Sequence, residues 1–79
     1  MSDPKPDQEP NHPPHVVVHP VSAGVPRPYR RVDILGAQVG KAYSVSDVAE
    51  FMRRAGLDAD GVTDPGLVQW QGGDVEVWG

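Results

Sequence analysis

Eight of the nine prolines fall within the first 28 residues, and this placement limits what the chain can fold into more than any other feature. Proline locks φ at about −65° and lacks an amide hydrogen, so it breaks helix interiors and cannot donate within a sheet. The N-terminal third is therefore extended or irregular, and any helix must come from later residues. Residues 1–14 combine the prolines with Asp, Glu, Gln and Asn and hold almost no apolar side chains. Such a segment cannot bury enough surface to offset its ordering entropy. The expected organisation is a disordered Pro-rich tail over 1–14 and a single small α+β domain over 15–79, with VSAGVPRP at 21–28 as a loop.

Three histidines (His12, His15 and His19) flank three consecutive valines in HPPHVVVHP. The prolines disfavour a helix and the valines favour an extended chain. In a strand, His15 and His19 share a face but stand roughly 13 Å apart. Metal–nitrogen bonds are about 2 Å long, so the two cannot reach one ion. The stretch reads as a short edge strand with Val16 and Val18 inward, and no metal site is expected.

RRVDILGAQVGKAYS has the pattern of a hairpin. Val32 and Ile34 alternate with Arg31 and Asp33, Gly36 supplies the turn, and Val39, Lys41 and Tyr43 alternate again. Ser44 to Asp47 then forms a capping box, in which the Ser44 hydroxyl accepts from the Asp47 amide while the carboxylate reaches back. Tyr43 and Val48 occupy the positions of a hydrophobic staple. Val45, Val48, Ala49, Phe51, Met52 and Ala55 make one apolar stripe. Gly56 is placed to end the helix in the left-handed conformation, with Leu57 folding back toward Met52. The last segment, LVQWQGGDVEVW, reads as a second hairpin turning at Gly72-Gly73. That register puts Val68, Trp70, Val75 and Val77 on the core face and leaves Leu67 beside Trp78 on the wet face.

Composition removes several function classes. Seventy-nine residues suffice for one domain with a modest core. With no cysteine there is no disulfide framework, thiolate metal site or thiol nucleophile. The opening lacks the apolar core of a signal peptide, and the aliphatic run Val16–Val18 is far too short for a membrane span. A soluble, cytoplasmic protein without a membrane partner is expected. A net charge of −4 disfavours a non-specific hold on nucleic acid, whose affinity rests on phosphate neutralisation.

No catalytic constellation is present. Ser22, Ser44 and Ser46 lack a nucleophile elbow, and the glycine-rich stretches lack the GK[ST] ending of a phosphate loop. Asp58 to Asp64 begins like a calcium loop, but Thr63 stands where the glycine belongs and Gln69 where the bidentate Glu belongs. It reads as a solvated loop of Asx-turns. The chain is expected not to be an enzyme and to need no cofactor. Candidate partner contacts are Leu67 and Trp78 as an aromatic-anchored patch, Tyr29, and the basic pairs Arg30-Arg31 and Arg53-Arg54. Glu50, four residues before Arg54, supplies a surface ion pair.

Two resemblances attach to these residues. RRVDILG, GKAYSVSDVAEFMRRAGL and LVQWQGG together resemble short uncharacterised actinobacterial proteins, a likeness that implies a small bacterial domain and no assigned activity. YSVSDVAEFM is similar to the opening helix of MerR-type and excisionase-like winged helices, which implies a recognition helix soon after it. The expected fold is a small antiparallel sheet of four to five strands packed by one amphipathic helix. The expected role is a non-catalytic protein-binding or adaptor module. The alternatives are a small DNA-binding regulator of winged-helix type, with Arg53 and Arg54 toward phosphates, and a self-associating protein that pairs strands as a homodimer.

Overall fold

The computed structural model describes residues 14–79; the expected disorder over 1–14 falls, but for Pro14, outside the described residues, as does His12. The architecture is α+β, a four-stranded sheet with one α-helix. β1 spans Val16–Ser22, β2 Tyr29–Ile34, β3 Ala37–Ala42 and β4 Val68–Trp70, with α1 over Val45–Arg54. The sheet order is β3-β2-β1-β4. Neighbours pair antiparallel except β1 with β4, which run parallel, so the sheet is mixed.

Val16 and Val18 are fully buried, as their alternation requires. Their strand is central, however, and not at an edge. A proline is tolerated there because Pro20 sits at the bulge between Val18 and Val21, where pairing with β2 shifts register. On the other side β4 ends at Trp70, opposite Val18, so no ladder bond is asked of Pro20. β1 continues to Ser22, which shortens the expected 21–28 loop from its start.

β2 and β3 form the expected hairpin. Leu35 and Gly36 both take positive φ, 53° and 84°, which is the two-residue turn whose twist matches the strands. A bulge near Val39 shifts the register between Val32 and Asp33. It leaves Val39 exposed and turns Gly40 and Ala42 toward the helix. A Cβ on Gly40 would lie 2.8 Å from the Phe51 ring; glycine there lets α1 approach the sheet.

Both ends of α1 are set locally. At its start, the Asp47 carboxylate accepts from the Tyr43 amide at 2.8 Å, while the Ser44 hydroxyl makes no capping bond. The expected box is thus half made, with the acceptor reaching one residue further back. At its end Leu57 donates to the Met52 carbonyl at 2.8 Å and Gly56 to that of Arg53 at 3.0 Å. With Gly56 at φ 82°, this is the Schellman pattern. Val48 and Met52 enter a core with Val16, Val18, Val32, Ile34, Ala42 and Val68. Ala55, expected on the stripe, is the C-cap and is exposed.

The C-terminal hairpin does not form. Only Val68–Trp70 is a strand, and its partner is β1. Gly72 and Gly73 do turn the chain, with φ 75° and 143°, but the residues that follow curl over the end of the core. The reason is a buried arginine.

Candidate functional site

Arg30 lies on β2 with its side chain on the same face as Val32 and Ile34, and it is wholly buried. Its guanidinium donates to five backbone carbonyls. Nε reaches His19 at 2.8 Å; Nη1 reaches Asp74 at 3.0 Å and Val77 at 2.8 Å; Nη2 reaches Gln71 at 2.7 Å and Gly73 at 2.8 Å. Every N–H of the fork is thereby satisfied. The Trp70 and Trp78 rings lie 5.1 and 5.4 Å from its central carbon and meet each other edge to face, 6.0 Å apart. The indole Nε1 of Trp70 donates to Val62 and that of Trp78 to Val75. Burial lowers the guanidinium pKa from its ordinary value, and the Asp74 charge partly opposes this. Carbonyl dipoles and two ring faces stand in for a carboxylate partner. Arg30 was expected at a contact surface; its position makes it the post around which residues 71–78 are wound.

The opposite face of the sheet is built from the alternate residues. Arg31 pairs with Lys41, Asp33 with Gln38 and Val17, and Ser22 with Tyr29. The Tyr29 and Tyr43 rings lie 6.3 Å apart. Lys41 Nζ sits 4.7 Å over Tyr29 and the Arg27 guanidinium 4.8 Å over Tyr43. Gly24 lets the 23–28 loop lie against Tyr29, since a Cβ there would come within 2.6 Å of the ring. His19 and Asp33 meet at 2.9 Å on this face. Two tyrosines framed by Arg27, Arg31 and Lys41 thus form a basic, aromatic surface on a chain whose net charge is −4.

The remaining expected contacts are scattered. Leu67 and Trp78 do not sit side by side, because the hairpin that would pair them is absent. Leu67 packs, half-buried, against the core and Gly61, and Trp78 packs on Arg30 and Trp70. Arg53 and Arg54 are exposed on α1, and both reach Glu50, at 3.0 and 3.4 Å. The guanidinium of Arg53, by hydrogen bond and charge, holds the Glu50 carboxyl below the usual range, with Arg54 adding to it. Sequence reasoning picked out Tyr29 and Arg31 but missed Arg27, Lys41 and Tyr43. No local signal marked them: Arg27 lies in the loop before β2, and unbroken pairing from the Leu35-Gly36 turn would set Lys41 against Arg30, whereas the bulge at Val39 moves it opposite Arg31.

A hollow of about 360 Å³ is lined by Pro14, His15, Leu35 and Gly36. Among these His15 is the one titratable side chain, and general acid–base chemistry asks for a second positioned group. Among the described residues no three His, Cys, Asp or Glu side chains converge as metal ligands. The 58–64 loop contains a five-residue 3-10 helix, Ala59–Thr63, and Asp58 and Asp64 accept from the Asp60 and Gly66 amides as Asx-turns. No helix among the described residues is long and apolar enough to cross a membrane. Comparison with protein-family models, curated proteins and solved structures gave no match.

Proposed function

We propose that this chain is a non-catalytic binding module that engages an acidic, extended segment of another protein on the open face of its sheet. The carrying observation is the division of labour across the sheet. One face is filled by α1, the 3-10 segment and the C-terminal wrap, while the other presents Tyr29 and Tyr43 among Arg27, Arg31 and Lys41. Rings give contact area at little entropic cost, and the cations select for carboxylates. The contact residues of the sequence reading shift accordingly: Tyr29 and Arg31 stay, joined by Arg27, Lys41 and Tyr43, while Arg30 and Trp78 serve the fold. The winged-helix alternative has less support. Arg53 and Arg54 are engaged by Glu50, and a 3-10 turn stands where a second helix is needed.

The test is an NMR titration of the labelled chain with a synthetic Glu-Pro repeat peptide and, separately, with oligo(dT). Shifts confined to the open face with the peptide, abolished by Lys41→Glu with Arg31→Glu, are the expected result. Binding to oligo(dT) alone would transfer the face to single-stranded nucleic acid, for which stacked rings and cations also suit. Shifts with neither would sink the binding role of this face.

A further inference from the structure

We propose that residues 1–13 of this chain are themselves a ligand of the open sheet face, competing with the outside partner; this rests on the function proposed above. The segment MSDPKPDQEPNHP matches the face on two counts. It carries Asp3, Asp7 and Glu9 against the single Lys5, opposite in sign to Arg31 and Lys41. It also carries four prolines, and extended proline-rich segments dock on aromatic-lined surfaces because their conformation is already restricted.

Reach agrees with chemistry. The segment joins the domain at Pro14, beside the start of β1, whereas Tyr29 lies opposite Ser22 at the strand's far end. From Val16 to Ser22 β1 advances about 20 Å. A proline-rich chain at about 3.1 Å per residue covers about 16 Å from Pro14 back to Glu9 and about 22 Å back to Asp7. Pro14 stands two residues, about 7 Å, before Val16, so Asp7 and Glu9, folded back along the open face, come level with Arg31 and Lys41 on the near side of Tyr29. The tether also raises the local concentration of the segment to the millimolar range, so a weak contact is populated.

The chain has no cysteine, so Gln8→Cys accepts a single nitroxide label in the full chain. The expected result is relaxation broadening of the Tyr29, Arg31 and Lys41 amides, with α1 spared. The broadening should disappear in about 1 M NaCl, where the screening length is about 3 Å, and in the Asp7→Lys/Glu9→Lys variant. That variant, unlabelled, should bind the Glu-Pro peptide roughly twofold or more tighter, since the internal competitor is gone. Broadening that is absent, salt-independent or centred elsewhere overturns the proposal. So does broadening seen only when labelled chains are mixed with unlabelled isotopic ones, which would assign the contact to a second copy. If the peptide still binds the face while the broadening is absent, only this inference fails. If both are absent, the proposed function fails with it.

Discussion

The two faces of the sheet use the same ingredients and reach opposite ends. On one, Arg30 lies between Trp70 and Trp78; on the other, Arg27 lies over Tyr43 and Lys41 over Tyr29. The exposed pairs are the closer ones, 4.8 and 4.7 Å against 5.1 and 5.4 Å. Distance therefore does not decide their weight. A cation over a ring contributes about 0.5–1 kcal/mol at an exposed site and about 2 kcal/mol or more once desolvated. Arg30 is desolvated and holds five carbonyls, so it organises a segment of chain. Arg27 and Lys41 keep water and remain free to exchange it for a ligand. The lesson is that an arginine–aromatic cluster becomes structure where backbone acceptors can replace its hydration, and a binding surface where they cannot.

The sharpest way to break this comparison is Arg30→Ala. It leaves the carbonyls of His19, Gln71, Gly73, Asp74 and Val77 without their donor, and a loss of about 3–5 kcal/mol is expected in urea unfolding of the full chain. Arg30→Lys should restore little of it, because one ammonium has three donors and no planar fork. A loss below about 1 kcal/mol for Arg30→Ala would show that the C-terminal wrap does not depend on this residue. By contrast, Arg31→Glu with Lys41→Glu on the open face should move stability by only about 0.5 kcal/mol each.

The next largest effect tests how closely α1 sits on the covered face. Gly40→Ala places a Cβ 2.8 Å from the Phe51 ring, and overpacking of this kind costs about 1–3 kcal/mol. Adding Phe51→Leu should make the double variant less unstable than the two single losses summed. Strict additivity in denaturation would mean that the contact is not the cause.

A smaller and opposite effect is expected at the hairpin tip. Leu35 takes a φ of 53° and is 67% exposed, so it bears strain without core packing in return. Leu35→Asn should raise the melting temperature, with a gain of about 0.5–1 kcal/mol, because Asn tolerates the left-handed region. No gain would indicate that the tip makes contacts that hold Leu35 in place.

The smallest effect concerns the exposed charges of α1. Glu50's folded-state pKa is depressed, chiefly by the hydrogen bond and charge of Arg53. Its contribution is therefore present above the unfolded value, about 4.3 for Glu, and is lost as pH falls through the lower folded value. Carboxyl NMR should place the Glu50 midpoint below that of an unfolded reference. The stability difference between the wild type and Glu50→Gln should vanish at the acid end of that window. A midpoint at or above the reference would dissolve the ion pair as a contributor.

Some of this molecule is written in neighbouring residues. The helix stop at Gly56 needs only a residue that accepts positive φ and the amides of Gly56 and Leu57, so it is legible locally. The same holds for the inward valines of β1, for the turn at Gly36, for the apolar stripe that puts Val48 and Met52 inside, and for the Asx-turns at Asp58 and Asp64. Each depends on interactions within a few residues, or on a period that one buried face enforces. The capping box was half legible: the Asp47 amide donates to the Ser44 backbone carbonyl at 3.1 Å and not to its hydroxyl, while the Asp47 carboxylate takes the Tyr43 amide.

The candidate site was less legible, since pairing across strands decides it. Tyr29 and Arg31 could be singled out as residues, but their union with Arg27, Lys41 and Tyr43 depends on the register set by the Val39 bulge. The fate of Arg30 was hidden for a stronger reason. Four of its acceptors lie 41 to 47 residues further along the chain, and all five are backbone carbonyls, which leave no mark in side-chain identity. With β4 running parallel to β1 instead of pairing with the residues after Gly73, those carbonyls were free to turn inward. Local chemistry determined the helix, the turns and which valines face the core. Only the tertiary structure, by closing long-range backbone acceptors around one cation, decided that of two adjacent arginines Arg30 would build the fold and Arg31 would face outward.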